Sequence, residues 1–469
     1  MVENKKKPQF FAFLKRKRYV CVVFFKYHYI PMDPMIINDP VYGFIKVPRG
    51  LLCDIISHPY FQRLGRIRQL GMASMVYPGA VHTRKQHSLG AFSLMQEALN
   101  VLAEKGEFIF KSEIEAAEAA ILLHDIGHGP FSHVLEDVLI KGVKHEQLTL
   151  LMMRRMNEQL HGELSLAIQV FTGEHYKPFL HELVCSQLDV DRLDYLCRDS
   201  FYCGVIEGNI GAARIIKMLN VSEGKLVFDE KGIYSIEHYL MARRLMYWQV
   251  YLHKTVVAAE HMLCGALRRA KELTRNGEQL FASEPLQYFL AHDVKINDFD
   301  DNPQILDYFV QLDDNDIICA LKSWSRHKDK VLSDLASGFL NRDLFKAKPV
   351  GYFDYQTLVD EIKQELAIDF NIPLEDTEYY ITQKNVSKEM YVAKSHEILL
   401  MNSGGKLSKL SNKSNILLAP QSISSRNLFL LIDPDKSAGI FSYSLATCIK
   451  FTSLKIILES HCNDQLHAG

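Results

Sequence analysis

Histidine is the residue type whose placement in this sequence could do chemistry. The chain has 469 residues and 19 histidines. Six of them, His82, His87, His124, His128, His133 and His145, crowd into residues 82–145. The string His124-Asp125-Ile126-Gly127-His128-Gly129-Pro130-Phe131-Ser132-His133 closes an apolar helix with a His-Asp pair and brings histidine back four and nine positions later. Packing explains a lone histidine more readily than this ladder. Neutral imidazole beside carboxylate suits a first-row transition metal. His124 and His128 fall one turn apart on one helical face, so if the first holds a metal the second faces whatever sits beside it. Two ligands do not make a tight site, so others must come from elsewhere. His87 starts a helix in Arg84-Lys85-Gln86-His87-Ser88-Leu89-Gly90, and an acidic run reads Asp189-Val190-Asp191-Arg192-Leu193-Asp194-Tyr195, followed by Arg198-Asp199. Helical spacing puts Asp191, Asp194 or Tyr195, and Arg198 on one broad face. One polypeptide thus offers His, His-Asp and Asp on three helices. The structural alternative is a buried His-Asp hydrogen-bond network. For His128 and His133 it is support of the ligands only. His292-Asp293 repeats the dipeptide in an acidic stretch without a histidine ladder and reads as surface.

Those donors need rigid elements to hold them, and the sequence supplies helices. From Asp39 to Glu272 the pattern is helical. Ala91, Leu94, Met95, Ala98, Leu99 and Leu102 recur at helical spacing within 87–102, and 113–124 is rich in the best helix formers. Residues 181–197 and 235–272 also read as helix. Pro78-Gly79 and Gly127-His128-Gly129-Pro130 punctuate the pattern. Residues 276–376 read as a helical acidic region. Short apolar runs at 379–382, 397–401 and 427–432 read as strands, with 402–415 between them a loop, so 377–435 is expected to be a small α/β appendage. Residues 1–31 carry eight Lys/Arg against one acid, Glu3, and read as a disordered basic extension. Residues 436–469 are a tail without pattern. The fold expected is mainly α, a helical core over 32–275 with the smaller C-terminal α/β appendage.

Composition narrows the function classes. Hydrophobic residues make up 48% and charged residues 23%, which is ordinary for a globular chain. The formal net charge of −2 supplies no global field for DNA or an acidic membrane. Nine scattered cysteines without a C-x-x-C pair read as reduced thiols, pointing to a cytoplasmic protein. No apolar run is long enough to span a bilayer. The Lys15–Arg18 cluster and the short apolar stretch after it lack the cleavage site of a secretion signal.

The order H…HD…D resembles the HD-domain phosphohydrolase superfamily. The likeness is closer than that pattern. DPVYGFI at 39–45, FQRLGRIRQLGMASMVYPGAVHTRKQHSLG at 61–90, LHDIGHGPFSH at 123–133, KHE at 144–146 and DVDRLDYLCRD at 189–199 resemble the deoxynucleoside triphosphate triphosphohydrolases, in particular the branch that joins a SAM domain to an HD domain. The similarity spans about 39–265, and no SAM domain is expected ahead of it. The resemblance implies a helical HD domain with His87, His124, Asp125 and Asp191 as ligands of a divalent transition metal (Fe, Mn, Zn or Ni), Mg supporting the triphosphate. It implies that Arg84, His128, His133, Arg192, Tyr195, Asp199 and Arg243 line the triphosphate and the attacked phosphorus. His145 would sit behind His128 or His133, and Gln69, Leu70 and Tyr251 would contact the sugar. It also implies a nucleotide substrate and a homo-oligomer. Four departures stand out: Arg192 for the usual lysine, Glu136 for an aspartate, Leu252 for a glutamine near the base, and Ser57 with Gly65 for the Asp and Arg that hold a regulatory guanine nucleotide.

The physics agrees with a triphosphate. Catalysis of phosphoryl transfer is mainly positioning and charge stabilisation, and Arg84, Arg192 and Arg243 offer planar donors matched to phosphate oxygens. His128 and His133 are the candidates to protonate a departing alkoxide. The expected function is metal-dependent cleavage of dNTPs to deoxynucleoside and inorganic triphosphate. The alternatives are another HD phosphohydrolase, acting on nucleoside monophosphates, cyclic nucleotides or guanosine polyphosphates, and a nucleic-acid-binding regulatory module with a vestigial site.

Overall fold

The computed structural model describes residues 33–132, 138–350, 356–388, 397–414 and 424–431. The expectations for 1–31, for 436–469, for His133 and for Glu136 lie outside these residues. The fold is mainly α, as the residue pattern predicts.

The helices that position the site are α1 (Arg84–Glu104), α2 (Lys111–Leu123), α3 (His145–Gln159), α4 (Val190–Cys203), α5 (Ile233–Met246) and α6 (Lys254–Arg275). All but α5 start where a side chain can satisfy a free backbone N–H. Gln86 reaches back to accept the Thr83 N–H at 2.8 Å ahead of α1, and Glu113 accepts the Phe110 N–H at 2.8 Å ahead of α2. Asp189 accepts the Arg192 N–H at 2.8 Å and so starts α4, which stops at Gly204 in the left-handed region. The α1 residues at helical spacing, Ala91, Leu94, Met95, Ala98, Leu99 and Leu102, are all buried in one continuous apolar core with α2 and α4.

Two expected helices are broken, each for a local reason. Residues 181–197 divide into Pro178–Val184 and α4. Asp189 accepts the Ser186 N–H at 2.7 Å as well as that of Arg192, and this local turn replaces the helical hydrogen bonds. Residues 235–272 divide at a π-helical turn, Tyr247–Tyr251, after which His253 is extended and caps α6 through its Nδ1. Single π turns of this kind gather at functional sites.

Strands also appear inside the stretch read as helical. Strands β1 (Met35–Asp39) and β2 (Gly43–Val47) form an antiparallel hairpin, and β3 (Leu219–Ser222) and β4 (Lys225–Asp229) form another. The remaining strands are β5 (Lys346–Val350), β6 (Ile381–Lys388), β7 (Leu399–Met401), β8 (Leu407–Lys409) and β9 (Ser424–Leu431). β7 runs parallel to β4, giving a sheet in the order β3-β4-β7-β8, so part of 402–415 is strand rather than loop. The other sheet has β9 between β5 and β6, antiparallel to both. These pairings join segments far apart in sequence, which a local hydrophobic period does not encode. Among the described residues no helix is long and apolar enough to cross a membrane.

Candidate metal-binding active site

Helices α1, α2 and α4 bring His87, His124 and Asp191 to one point. The Nε2 atoms of His87 and His124 lie 3.2 Å apart, and Asp191 Oδ1 is 3.0 Å from the first and 3.6 Å from the second. The three donor atoms lie within 4.8 Å of one another. Asp125 joins them, its oxygens 3.8 Å from His87 Nε2 and 3.4 Å from His124 Nε2.

The far nitrogens show why the near ones converge. His87 Nδ1 is hydrogen-bonded to Asp194 at 2.7 Å, and His124 Nδ1 donates to the Ile121 carbonyl at 2.6 Å. An N–H anchored to an acceptor on one side leaves an imidazole lone pair on the other, as in metal-binding histidines. Burial works against a charge on His87, yet its bonds to Asp191 and Asp194 outweigh it and lift the ring to about 10. Burial alone would raise Asp191 too, but His124 and His87 hold it well below the usual carboxylate range. The site therefore favours positive charge, and its donors fit a divalent transition metal.

Asp125 is the hub on the other side. Arg84 Nη1 donates to it at 2.5 Å, and His128 Nε2 lies 3.3 Å away. His124, Arg84 and His128 together overcome burial and keep Asp125 ionised. Burial, then Arg84, hold His128 well below the ordinary histidine value, so its ring is neutral. His145, at the start of α3, stacks on His128 with centroids 3.9 Å apart and planes at 18°, so it lies behind that ring.

A second set of polar side chains lies on α4, on α5 and on the π turn. Arg192 donates through Nε to Asp189 and to the Ser186 carbonyl. Arg243, on α5, donates to Gln187 Oε1 at 3.2 Å. Its guanidinium lies 5.9 Å from the Tyr247 ring centroid, and the Tyr195 and Tyr251 rings meet edge to face at 6.1 Å. Gln69 and Leu70 lie on the turn before α1, where Gln69 N–H donates to the His82 carbonyl. Asp199 is buried and held from two sides, by His82 Nε2 at 2.7 Å and by the Tyr251 hydroxyl at 2.8 Å. Ser57 ends the Leu51–Ser57 helix, Gly65 lies in the 3-10 turn Leu64–Arg66, and Leu252 closes the π turn. His292-Asp293 is elsewhere, with Asp293 exposed and paired to Lys271 and Arg275.

Sequence reasoning assigned no part to four groups that matter here. Asp194 ties His87 from behind; Arg198 grips Asp194 through two nitrogens at 3.0 Å and reaches Asp39 of β1 at 2.8 Å. The Ser132 hydroxyl accepts from Arg84 at 2.6 and 3.2 Å. The three-residue spacing of Asp191 and Asp194 was visible, but which carboxylate lies between the imidazoles and which lies behind one was not.

The class defined by this fold and centre is recognisable from the chain itself. An HD domain matches residues 84–199, and an HD-associated region matches 210–285. The chain belongs to the HD phosphohydrolase superfamily. It is 53% identical to the crystal structure of a phosphohydrolase from Bacteroides thetaiotaomicron, with a TM-score of 0.83 over 86% of this chain and 100% of that one. It is 32% identical to the uncharacterized protein YwfO of Bacillus subtilis, over 76% of this chain and 87% of that protein. It is 28% identical to the human deoxynucleoside triphosphate triphosphohydrolase SAMHD1, over 74% of this chain and 62% of the human protein.

Proposed function

We propose that this protein hydrolyses deoxynucleoside triphosphates to deoxynucleoside and inorganic triphosphate. One observation carries the reading. Gln69 Oε1, the Tyr195 hydroxyl and Arg243 Nε are buried and have no hydrogen-bond partner among the described residues. A buried polar atom without a partner is costly, so native proteins pair nearly all of them. These three belong to residues that the family resemblance assigns to substrate, and a sugar and phosphate chain would satisfy them.

In this reading His87, His124, Asp125 and Asp191 hold the metal. A divalent metal bound there supplies Lewis acidity that polarises a phosphoryl oxygen and acidifies water. Arg84, Arg192 and Arg243 neutralise the triphosphate. Water attacks the α-phosphorus, the bond from phosphorus to the 5′-oxygen breaks, and His133 supplies the proton that the 5′-oxygen takes up. Neutral His128, backed by His145, contacts the phosphate. Asp199 and His82 hold Tyr251 against the sugar, opposite Leu70. The human relative, a deoxynucleoside triphosphate triphosphohydrolase by name, supports a nucleotide substrate. We also propose a homo-oligomer, and a cytoplasmic location suited to free thiols such as Cys53, Cys185 and Cys319.

The test is turnover of dATP, dGTP, dCTP and TTP by metal-loaded protein, with and without GTP, alongside the four ribonucleotides, reading triphosphate, pyrophosphate and phosphate separately. Burying a ribose 2′-hydroxyl without a partner against Leu70 and Tyr251 costs about 1–3 kcal/mol. Deoxynucleotides should therefore lead by about ten- to a hundredfold, since each ~1.4 kcal/mol is tenfold. Ser57 and Gly65 lack the groups that would grip a guanine activator, so GTP should be dispensable. Release of phosphate alone would move the protein to another HD phosphohydrolase activity. Equal rates on ATP and dATP would defeat the sugar argument, and an absolute GTP requirement the regulatory one.

A further inference from the structure

Asp314 lies in the acidic stretch that the sequence marks only as charged and helical, yet it grips the loop behind the candidate centre. Asp313 caps the Asp314–Trp324 helix, accepting the Asn315 N–H at 2.9 Å. Asp314 is thus the first residue of that helix, only 7% exposed, with both carboxylate oxygens engaged. Oδ1 accepts the Phe131 N–H at 2.8 Å, 183 residues away in sequence, and Oδ2 accepts the Arg68 N–H at 2.9 Å.

Each N–H is one residue from a group that matters. Phe131 precedes Ser132, and both are left-handed, with φ of 50° and 57°. Side chains other than glycine rarely adopt that conformation, and it persists where the surroundings over-determine it. The Ser132 hydroxyl takes two hydrogen bonds from Arg84, whose remaining nitrogen holds Asp125. Arg68 precedes Gln69, and its segment pairs with the start of α1 through the Arg68–Thr83 bridge and the Arg84 N–H to the Ile67 carbonyl.

We infer that Asp314 is a positioning residue that clamps the Phe131-Ser132 turn against the Arg68-Gln69 segment and so fixes the Arg84 guanidinium for phosphate. The inference rests on the reading that Arg84 serves phosphate. A carboxylate suits the task because two backbone N–H groups need two acceptor oxygens. An amide offers one oxygen, and its NH2 opposes the other N–H.

The experiment is a double-mutant cycle in the full chain with Asp314→Asn, Ser132→Ala and both together. It reads metal content, affinity for inorganic tripolyphosphate, and kcat and KM on dATP. Asp314→Asn should keep its metal and lose tripolyphosphate affinity by about tenfold, the scale of a misplaced charge-assisted hydrogen bond. Ser132→Ala should do the same, and the double variant should be no worse than the weaker-binding single one. Affinity within twofold of wild type for Asp314→Asn, or losses that multiply, would overturn the inference. If wild type binds tripolyphosphate but turns over no dNTP, the substrate reading fails while the cycle still decides Asp314. If wild type does not bind tripolyphosphate, Arg84 has no phosphate role and the inference falls with it. Amide hydrogen exchange on wild type needs no variant: the Phe131 and Arg68 N–H groups should be strongly protected, and rapid exchange at both would contradict the clamp.

Discussion

Behind the imidazole of His87 stands a second carboxylate, Asp194, and behind that a buried arginine. Arg198 and Asp194 are fully buried, and Arg198 also binds Asp39 on the first strand. Burial opposes ionisation of Asp194, but Arg198 and His87 outweigh it and hold its carboxyl below the ordinary range. A charged acceptor fixes the His87 tautomer and makes Nε2 more basic. Outer partners of metal-binding histidines typically contribute about 10–100-fold in affinity. Asp194→Asn should therefore weaken metal binding by about that factor while leaving the donor set intact. Asp125→Ala, which removes a donor itself, should abolish metal retention and activity. Metal titration followed by elemental analysis separates the two. An Asp194→Asn protein binding metal as tightly as wild type would show that the carboxylate merely fills space.

Elements pack closely around these groups where two glycines leave room. A Cβ on Gly90 of α1 would overlap the Arg198 guanidinium and the Asp194 carboxylate of α4. A Cβ on Gly127 would overlap the His145 carbonyl and Thr149 N–H in the first turns of α3. Thr149 stitches the same place, accepting the Gly127 N–H at 3.0 Å and donating to the His124 carbonyl at 3.1 Å. Overpacking a tight core costs about 1–3 kcal/mol, and more where backbone must yield. Gly90→Ala should lower both melting temperature and metal affinity, because the clash falls on the partner of His87. Gly127→Ala should be the more destabilising, since α3 as a whole must shift. Thermal melting with metal titration checks both. A Gly90→Ala protein with wild-type melting and metal affinity would mean that α1 and α4 can part freely.

Across the whole molecule, remote segments close over the helical core. Buried Arg63 donates to the Leu312 carbonyl at 2.7 Å and the Ile126 carbonyl at 3.3 Å, tying the acidic region to the loop after His124-Asp125. Ser414 donates to Glu237 at 2.7 Å, tying the C-terminal sheet to α5. On a face of α1 and α2 formed by Gln96, Asn100, Ile114 and Glu118, a cavity of about 260 Å³ opens beside Lys46 and Pro34. Burial pushes the Glu118 carboxyl from 4.5 up to about 7, against a single opposing hydrogen bond from Gln96 at 3.1 Å. The folded state therefore holds this proton more tightly than the unfolded chain. The stability it contributes is complete below about pH 4.5 and is lost as pH rises through 7. At about 1.4 kcal/mol per unit, the cost of the ionised form at alkaline pH is up to ~3 kcal/mol. Glu118→Gln should raise the melting temperature at pH 8 and change it little near pH 4.5. A difference between the two proteins that does not grow with pH would contradict a penalised charge.

The sequence by itself determined the helical texture of the core and the cast of donors. Apolar residues at helical spacing bury one face of α1, and His124-Asp125 closes α2. Those are local properties, set by side-chain type and the helical period. Only the tertiary structure decided which face of α4 meets α1, and hence that Asp191 lies between two imidazoles while Asp194 and Arg198 lie behind one. It also decided that Tyr251, at the end of a π turn, reaches Asp199, and that Asp314 reaches Phe131. The strand pairs β4 with β7 and β5 with β9 belong to the same kind. Such contacts link residues distant in the chain, and their partners leave no periodic trace near either end. They follow from how whole helices and loops dock to bury apolar surface and pair most buried polar groups at once.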